Sequence, residues 1–139
     1  MHYSFPVQVG TLNTVDNPVI QIVNLSSGVL DHVSVTFPPG CREQVFCQLY
    51  RGGTQFAPAL SGQYYSANGY TVEAGVYESL GTGFNEVTIV AWSWNCNYNH
   101  TITVMFNVRT PEEPDTSRDI NILANSLANL IDFFRAKLF

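Results

Sequence analysis

Short alternating apolar runs, each stopped by turn-forming residues, dominate the sequence between residues 5 and 109. The clearest run is Val33-Ser34-Val35-Thr36-Phe37, which Pro38-Pro39-Gly40 ends. A period of two is typical of a strand with one buried face, and proline cannot donate to a strand ladder. Because no helical period interrupts this stretch, we predict an all-β domain.

The same pattern predicts seven or eight strands. The expected segments are 5–9, 19–23, 33–37, 45–50, 55–58, 70–80 with a break at Gly75, 86–94 and 101–109. Gly52-Gly53 predicts a tight hairpin, and Asn95–Asn99 is expected to turn the chain so that the last strand comes back after the run 86–94. Strands this short and closely spaced predict an antiparallel β-sandwich or jelly-roll-like domain over residues 1–110.

The character of the sequence changes at Thr110. Residues 111–115, Pro-Glu-Glu-Pro-Asp, predict an acidic linker, and residues 116–139 contain neither glycine nor proline. Thr116 with Asp119 resembles a capping box, and Arg135 and Lys137 suit the negative end of a helix dipole. We therefore predict one C-terminal amphipathic helix over residues 116–139.

The predicted helix carries one apolar stripe with spacings of three and four residues. Its members are Ile120, Leu123, Leu127, Leu130, Ile131, Phe134 and Leu138. We interpret the stripe as an oligomer interface, because a proline-rich linker is stiff and separates units, and the stripe keeps the spacing of a coiled-coil seam. Packing of the stripe on its own sandwich stays open as the alternative.

The charge content limits the classes of partner. Only 12% of the residues are charged, against about a quarter in ordinary globular domains, which suggests a surface covered by other subunits. A net charge of −5 and a single lysine argue against nucleic acid. No run approaches the ~20 apolar residues that span a bilayer. The first residues lack the pattern of a signal peptide, so we expect the protein either to stay where it is made or to leave by lysis or a dedicated route.

Residues that could perform chemistry are few. The histidines are His2, expected in a mobile N-terminus, His32 and His100, and no HxH, HExxH or CxxC spacing occurs. Cys41, Cys47 and Cys96 are an odd number for a disulfide framework, so they are interpreted as thiols that pack as small apolar groups. We predict no catalytic residue, no cofactor and no metal site, and therefore no enzyme.

The aromatic residues Trp92, Trp94 and Tyr98 are the candidate ligand or partner face, and Tyr64 and Tyr65 in the polar stretch 61–69 join this aromatic group. Trp92 and Trp94 alternate with Ala91 and Ser93, so both indoles are expected on one face of a strand. If that face is the inner one, the indoles belong to the core; if it is the outer one, they form an apolar patch that needs a partner. A core or subunit-interface role is favoured over a platform for sugar rings.

Three segments together resemble a known group of proteins. They are Val33–Cys41 followed by the Gly-Gly hairpin into Gln55–Pro58, then Trp94-Asn95, and finally His100–Val104. They are similar to small β-sandwich proteins of tailed phages that are associated with the virion, over roughly residues 28 to 108. The resemblance implies a structural virion protein, such as a capsid decoration or accessory protein, and transfers no functional residue.

These observations define two hypotheses. The first is a virion-localised structural protein that is made in the host cytoplasm. It forms a homo-oligomer, with a trimer favoured, and contacts other virion or capsid proteins. The alternative is a carbohydrate-binding β-sandwich module that reads glycans through Trp92, Trp94 and Tyr98.

The stripe interpretation predicts the effect of Leu127→Asp. Burying a leucine side chain stabilises a contact by roughly 1.5–3 kcal/mol. A carboxylate at the same position is costly to bury and therefore weakens the contact. We expect the variant to dissociate the oligomer while the sandwich stays folded. Light scattering measures the mass and circular dichroism the fold; an unchanged oligomer mass contradicts the interpretation.

Overall fold

The structure, a computed structural model, describes residues 1–110 and Asn129. Eight strands form within this range, which confirms the all-β prediction. They are β1 (His2–Val9), β2 (Val19–Leu25), β3 (Gly28–Phe37), β4 (Val45–Arg51), β5 (Thr54–Ala57), β6 (Tyr70–Leu80), β7 (Asn85–Ser93) and β8 (His100–Arg109). The predicted linker 111–115 and the predicted helix over 116–139, apart from Asn129, lie outside the described residues.

The strands form two four-stranded antiparallel sheets that together make a β-sandwich. The strand orders are β1-β8-β3-β6 and β2-β7-β4-β5. In this domain only the β4–β5 connection stays within one sheet, and all the others cross to the opposite sheet. The antiparallel pairs β1·β8, β2·β7, β3·β6 and β4·β5 are therefore nested like the two arms of one long, rolled hairpin, which is the jelly-roll arrangement.

The last strand does not return beside β7 as the sequence predicted. β7 and β8 belong to different sheets, so Asn95–Asn99 carries the chain across the sandwich and does not close a hairpin. Alternation could not distinguish the two outcomes, because each strand buries one face in either case. The six residues between Ser93 and His100 are enough to cross the roughly 10 Å between packed sheets.

Two local expectations also need correction. β6 is one strand of 11 residues and is not broken at Gly75. Its ladder with β3 absorbs the irregularity as a register shift between Leu30 and His32. His2 lies in β1 opposite Asn107, and not in a mobile terminus.

The core lies between the inner faces of the two sheets. One face of β8 belongs entirely to this core, since Ile102, Val104, Phe106 and Val108 are all buried. Phe37 of β3 and Phe106 of β8 are the largest fully buried side chains. The outer face of each sheet consequently consists of the alternate residues, whose composition differs between the two sheets.

Gly28 allows a close approach of two backbone segments at the start of β3. Its φ is +144°, and a Cβ atom at this position would lie 2.5 Å from the Arg109 carbonyl oxygen. We expect Gly28→Ala to lower the free energy of unfolding by about 2–4 kcal/mol, from backbone strain and overpacking. Urea unfolding measures the change. Gly75→Ala is the matched control, because a Cβ there meets nothing within 4 Å; equal losses in both variants would contradict the explanation.

Candidate functional site

Trp92 lies on the outer face of the sheet β2-β7-β4-β5. Ile89, Ala91 and Ser93 of the same strand are buried beneath the opposite sheet, so Trp92 must face outward. Trp94 follows the end of β7 and is 64% exposed. Of the two alternatives left open for the indoles, the outer face is therefore the one observed. The small residues Ala91 and Ser93 face the core in their place.

Two more aromatic rings join Trp92 on this face. Phe46 of β4 is the direct cross-strand partner of Trp92, and the two ring centroids are 5.6 Å apart. Tyr64 packs edge-on against both, with centroid distances of 4.7 Å to Phe46 and 5.8 Å to Trp92. Geometries of this kind stabilise aromatic pairs by about 0.5–1.5 kcal/mol beyond their burial.

The loop that carries Tyr64 is attached to β4 by hydrogen bonds. The Cys47 N–H donates to the Tyr65 carbonyl at 3.0 Å, and the Tyr65 N–H donates to the Cys47 carbonyl at 2.9 Å. The Gln48 and Gln55 side-chain amides both donate to the Gln63 carbonyl at 2.9 Å. Since these bonds fix both neighbours of Tyr64, its ring is held against Phe46 before any ligand arrives.

The aromatic rings border a hollow of about 320 Å³. We call this depression the aromatic hollow. It is lined by Thr14, Val15, Phe46, Tyr64, Trp92, Ser93 and Trp94. No charged side chain belongs to this lining. The Ser93 hydroxyl is already used within the protein, because its oxygen lies 3.0 Å from the Gly10 carbonyl oxygen and 3.2 Å from the Asn13 carbonyl oxygen. The hollow therefore offers mainly apolar and aromatic surface.

The outer face around the hollow continues the apolar character. Ile20 of β2 stands opposite Val90 of β7, and Ile22 stands opposite Thr88. Ile20 and Ile22 are 63% and 58% exposed. Glu86 supplies a charge only at the far end of β7, opposite Asn24.

The outer face of the other sheet is polar. Its central ladder places Thr103 and Thr36 side by side, and Met105 stands beside Ser34. Its edge positions include Ser4, Gln8 and Glu73, all exposed. The two outer faces of the sandwich thus differ in chemistry although the two sheets share one core.

The third predicted aromatic residue lies elsewhere. Tyr98 borders a separate hollow of about 100 Å³ together with Arg42, Cys96 and His100. The structure therefore brings Trp92 and Trp94 together and leaves Tyr98 out of their hollow. Phe46 and Tyr64 take its place, and Phe46 is the member that the sequence reasoning did not single out.

The predicted oligomer-interface residues fall outside the described part of the chain. They are Ile120, Leu123, Leu127, Leu130, Ile131, Phe134 and Leu138. Their role as an interface stays a prediction.

Residues for metal binding or catalysis are not brought together in residues 1–110. There, no group of three or more His, Cys, Asp or Glu side chains is placed to hold a metal ion. His32 and Glu73 approach to 3.8 Å on the polar outer face, with both side chains substantially exposed. No helix of the described part is long and apolar enough to cross a membrane. The absence of enzymatic activity stays a prediction.

The three cysteines are free thiols. Cys41 and Cys47 are buried, and the Cys41 Sγ lies 2.9 Å from the Ala67 carbonyl oxygen as a hydrogen-bond donor. Burial raises the pKa of the Cys47 thiol to about 12. Burial, followed by the proximity of Cys47, also raises the pKa of the Tyr65 hydroxyl. Cys47 therefore acts as a small core residue beneath the aromatic hollow, as the sequence suggested.

Comparison with known proteins yields similarity of fold only. No protein-family model and no curated protein matches the sequence. A chain of the cyanophage Pam1 capsid asymmetric unit is similar, with a TM-score of 0.51, 18% identity, and coverage of 80% of this chain and 84% of that one. The pre-peptidase C-terminal domain of a Bacillus anthracis collagenase gives a TM-score of 0.47 at 10% identity, over 77% and 90% of the two chains. A Bacillus endospore appendage pilus protein gives a TM-score of 0.39 at 13% identity, with coverage of 79% of this chain and 88% of that one.

The pKa of Cys47 predicts loss of stability at alkaline pH. In the unfolded chain the thiol ionises near its ordinary pKa of 9.0, whereas the folded protein keeps the proton until about pH 12. The contribution of this thiol to the free energy of unfolding is therefore fully present below pH 9, and it is lost as the pH rises towards 12. Urea unfolding at a series of pH values should show a shallower decline in Cys47→Ala than in the parent chain. If stability declines equally with pH in the parent chain and in Cys47→Ala, the Cys47 thiol is not a source of the alkaline loss of stability.

Proposed function

We propose that the chain is a structural virion protein, a capsid decoration or accessory protein that assembles as a homo-oligomer. The observation that carries the proposal is the apolar outer face of the sheet β2-β7-β4-β5. Exposed apolar patches on a sheet face mark sites where a partner removes them from water. The polar outer face of the opposite sheet fits contact with solvent.

The size of the apolar face supports an assembly role. From the exposed fractions of Ile20, Ile22, Tyr64 and Trp94, these side chains present roughly 500 Å², near the upper end for the largest patch of a monomer. Covering that area contributes on the order of 10 kcal/mol before the entropy of association is subtracted. Together with a second interface, a contribution of this size is enough to hold subunits in an oligomer.

The fold and the charge content are consistent with this role. The Pam1 capsid chain has a similar fold at a TM-score of 0.51, and jelly rolls are common in viral capsid proteins. A fold alone does not define a function, so this likeness adds to the apolar face and does not replace it. The low charged fraction of 12% also suits a subunit whose surface is largely covered. We propose the apolar stripe of residues 120–138 as the second interface, with a trimer favoured.

The aromatic hollow favours a second candidate function, the binding of glycans. Trp92, Trp94 and Tyr64 line one depression and offer ring faces of the kind that stack on sugars. A sugar also needs several hydrogen-bonding partners when its hydroxyl groups leave water. The hydroxyl groups of Thr14 and Tyr64 and the two indole N–H groups provide few such partners. The lining contains no charged or amide side chain. We therefore prefer a protein partner for this face.

The proposal predicts opposite results for two matched variants. Val90→Glu places a carboxylate in the centre of the apolar face, whereas Thr103→Glu places one in the centre of the polar face; both positions are half-buried on inner strands. We expect the full chain to be a defined oligomer by light scattering. Val90→Glu should reduce its mass and Thr103→Glu should not, because only the first buries a charge at a contact.

Two results contradict the assembly proposal. One is a full chain that stays monomeric at every concentration, and the other is an oligomer whose mass is the same in both variants. If the monomeric chain also shows saturable quenching of tryptophan fluorescence by a soluble glycan, the second candidate function replaces the first.

A further inference from the structure

β2 is an edge strand that lacks the usual protection against pairing. In the sheet order β2-β7-β4-β5 it has a strand neighbour only on the β7 side. Its seven residues, Val-Ile-Gln-Ile-Val-Asn-Leu, include no charge and no proline. Its ladder with β7 runs from Val19 to Leu25 without a register shift. Strands of this kind are templates for another strand, because half of their backbone groups have no partner.

The backbone of β2 also lacks partners from the rest of the described domain. From Val19 to Asn24, no described side chain or turn backbone donates to it or accepts from it. The Tyr3 hydroxyl accepts from the N–H of Ser26, at 3.1 Å, only after the strand has ended. The free edge is therefore continuous over the exposed part of β2.

The other three edge strands each carry a protective feature. β1 contains Pro6, which has no N–H to donate. β5 has only four residues and adjoins a register shift at Leu49/Tyr50. β6 lies along the register shift at Leu30/His32 and carries Glu73, whose side chain is 68% exposed. Short strands, prolines, bulges and edge charges all oppose further pairing. The contrast singles out β2.

We propose that β2 pairs with β2 of a second copy of this chain, in antiparallel orientation about a two-fold axis. This inference rests on the homo-oligomer of the proposed function and adds a two-fold contact to it, which links the proposed trimers to one another. With the axis at Gln21, Ile20 of one copy stands opposite Ile22 of the other, and Val19 stands opposite Val23. The two four-stranded sheets then form one eight-stranded sheet with a continuous apolar outer face.

The charges favour a second copy as the occupant. Two copies of a chain with a net charge of −5 repel each other, so a contact between them needs a surface without like charges. Self-pairing of β2 brings no charged residue opposite another. It also places isoleucine against isoleucine and valine against valine, which are favourable cross-strand pairs.

The experiment compares the full-length chain with two lysine variants. Ile22→Lys adds a charge to the outer face of β2, where the side chain is already 58% exposed, so the fold should tolerate it. Ser4→Lys adds the same charge at an exposed position of β1, the edge strand that contains Pro6. Light scattering gives the mass, and hydrogen exchange followed by mass spectrometry gives the protection of amides in residues 17–25. Circular dichroism checks that both variants are folded.

We expect Ile22→Lys to reduce the mass at least twofold and to accelerate exchange of the edge amides of β2 by about tenfold or more, with Ser4→Lys unchanged in both. An oligomer whose mass does not change in Ile22→Lys but falls in Val90→Glu overturns the pairing and leaves the proposed function intact. A lower mass with unchanged exchange in β2 also overturns it, because the contact is then made by side chains of the face. A parent chain that is monomeric at every concentration overturns both proposals.

Discussion

Burial of Val87, Ile89 and Ala91 beneath the opposite sheet is the interaction on which the outer face depends. In a strand, each inward side chain forces its neighbours outward. The three buried residues of β7 therefore determine that Thr88, Val90 and Trp92 face away from the core. A slip of one residue would bury Trp92 and expose Ile89, and the close-packed core does not allow that exchange. The apolar outer face is thus a consequence of the same packing that stabilises the sandwich.

Much of the fold follows from local pattern. The alternation in 33–37 and 101–109 predicts strands, and the glycine pair at 52–53 predicts the β4–β5 hairpin, where the positive φ angles of 56° and 82° are observed. The assignment of strands to sheets does not follow. The sequence between Trp94 and His100 is equally suited to a hairpin and to a crossing between sheets, because both leave one face of β7 and one of β8 buried. Only the pairing of β7 with β2 and β4 decides between them.

The candidate site was only partly predictable for a related reason. Alternation places Trp92 and Ala91 on opposite faces, but it does not say which face is inner until the partner strands are known. Side-chain size does not settle the question either, because both alanine and large aromatic residues are common in cores. The contribution of Tyr64 depends on a bridge between Cys47 and Tyr65, which are far apart in sequence and carry no local signal. Phe46 could be assigned to the same face as Trp92 only through the register of β4 against β7.

The nested order of the strand pairs affects how the chain reaches this structure. The pair β4·β5 closes across two glycines, whereas β1·β8 joins residues at opposite ends of the domain. The entropy lost on closing a loop grows with its length, but a pair that has already formed shortens the loop that the next pair must close. Pairing that spreads outward from the Gly52–Gly53 turn therefore never has to close the full length of the domain in one step. A fold made mostly of distant contacts thereby has one local starting point, and β1·β8 is the last of the nested pairs to close in that order.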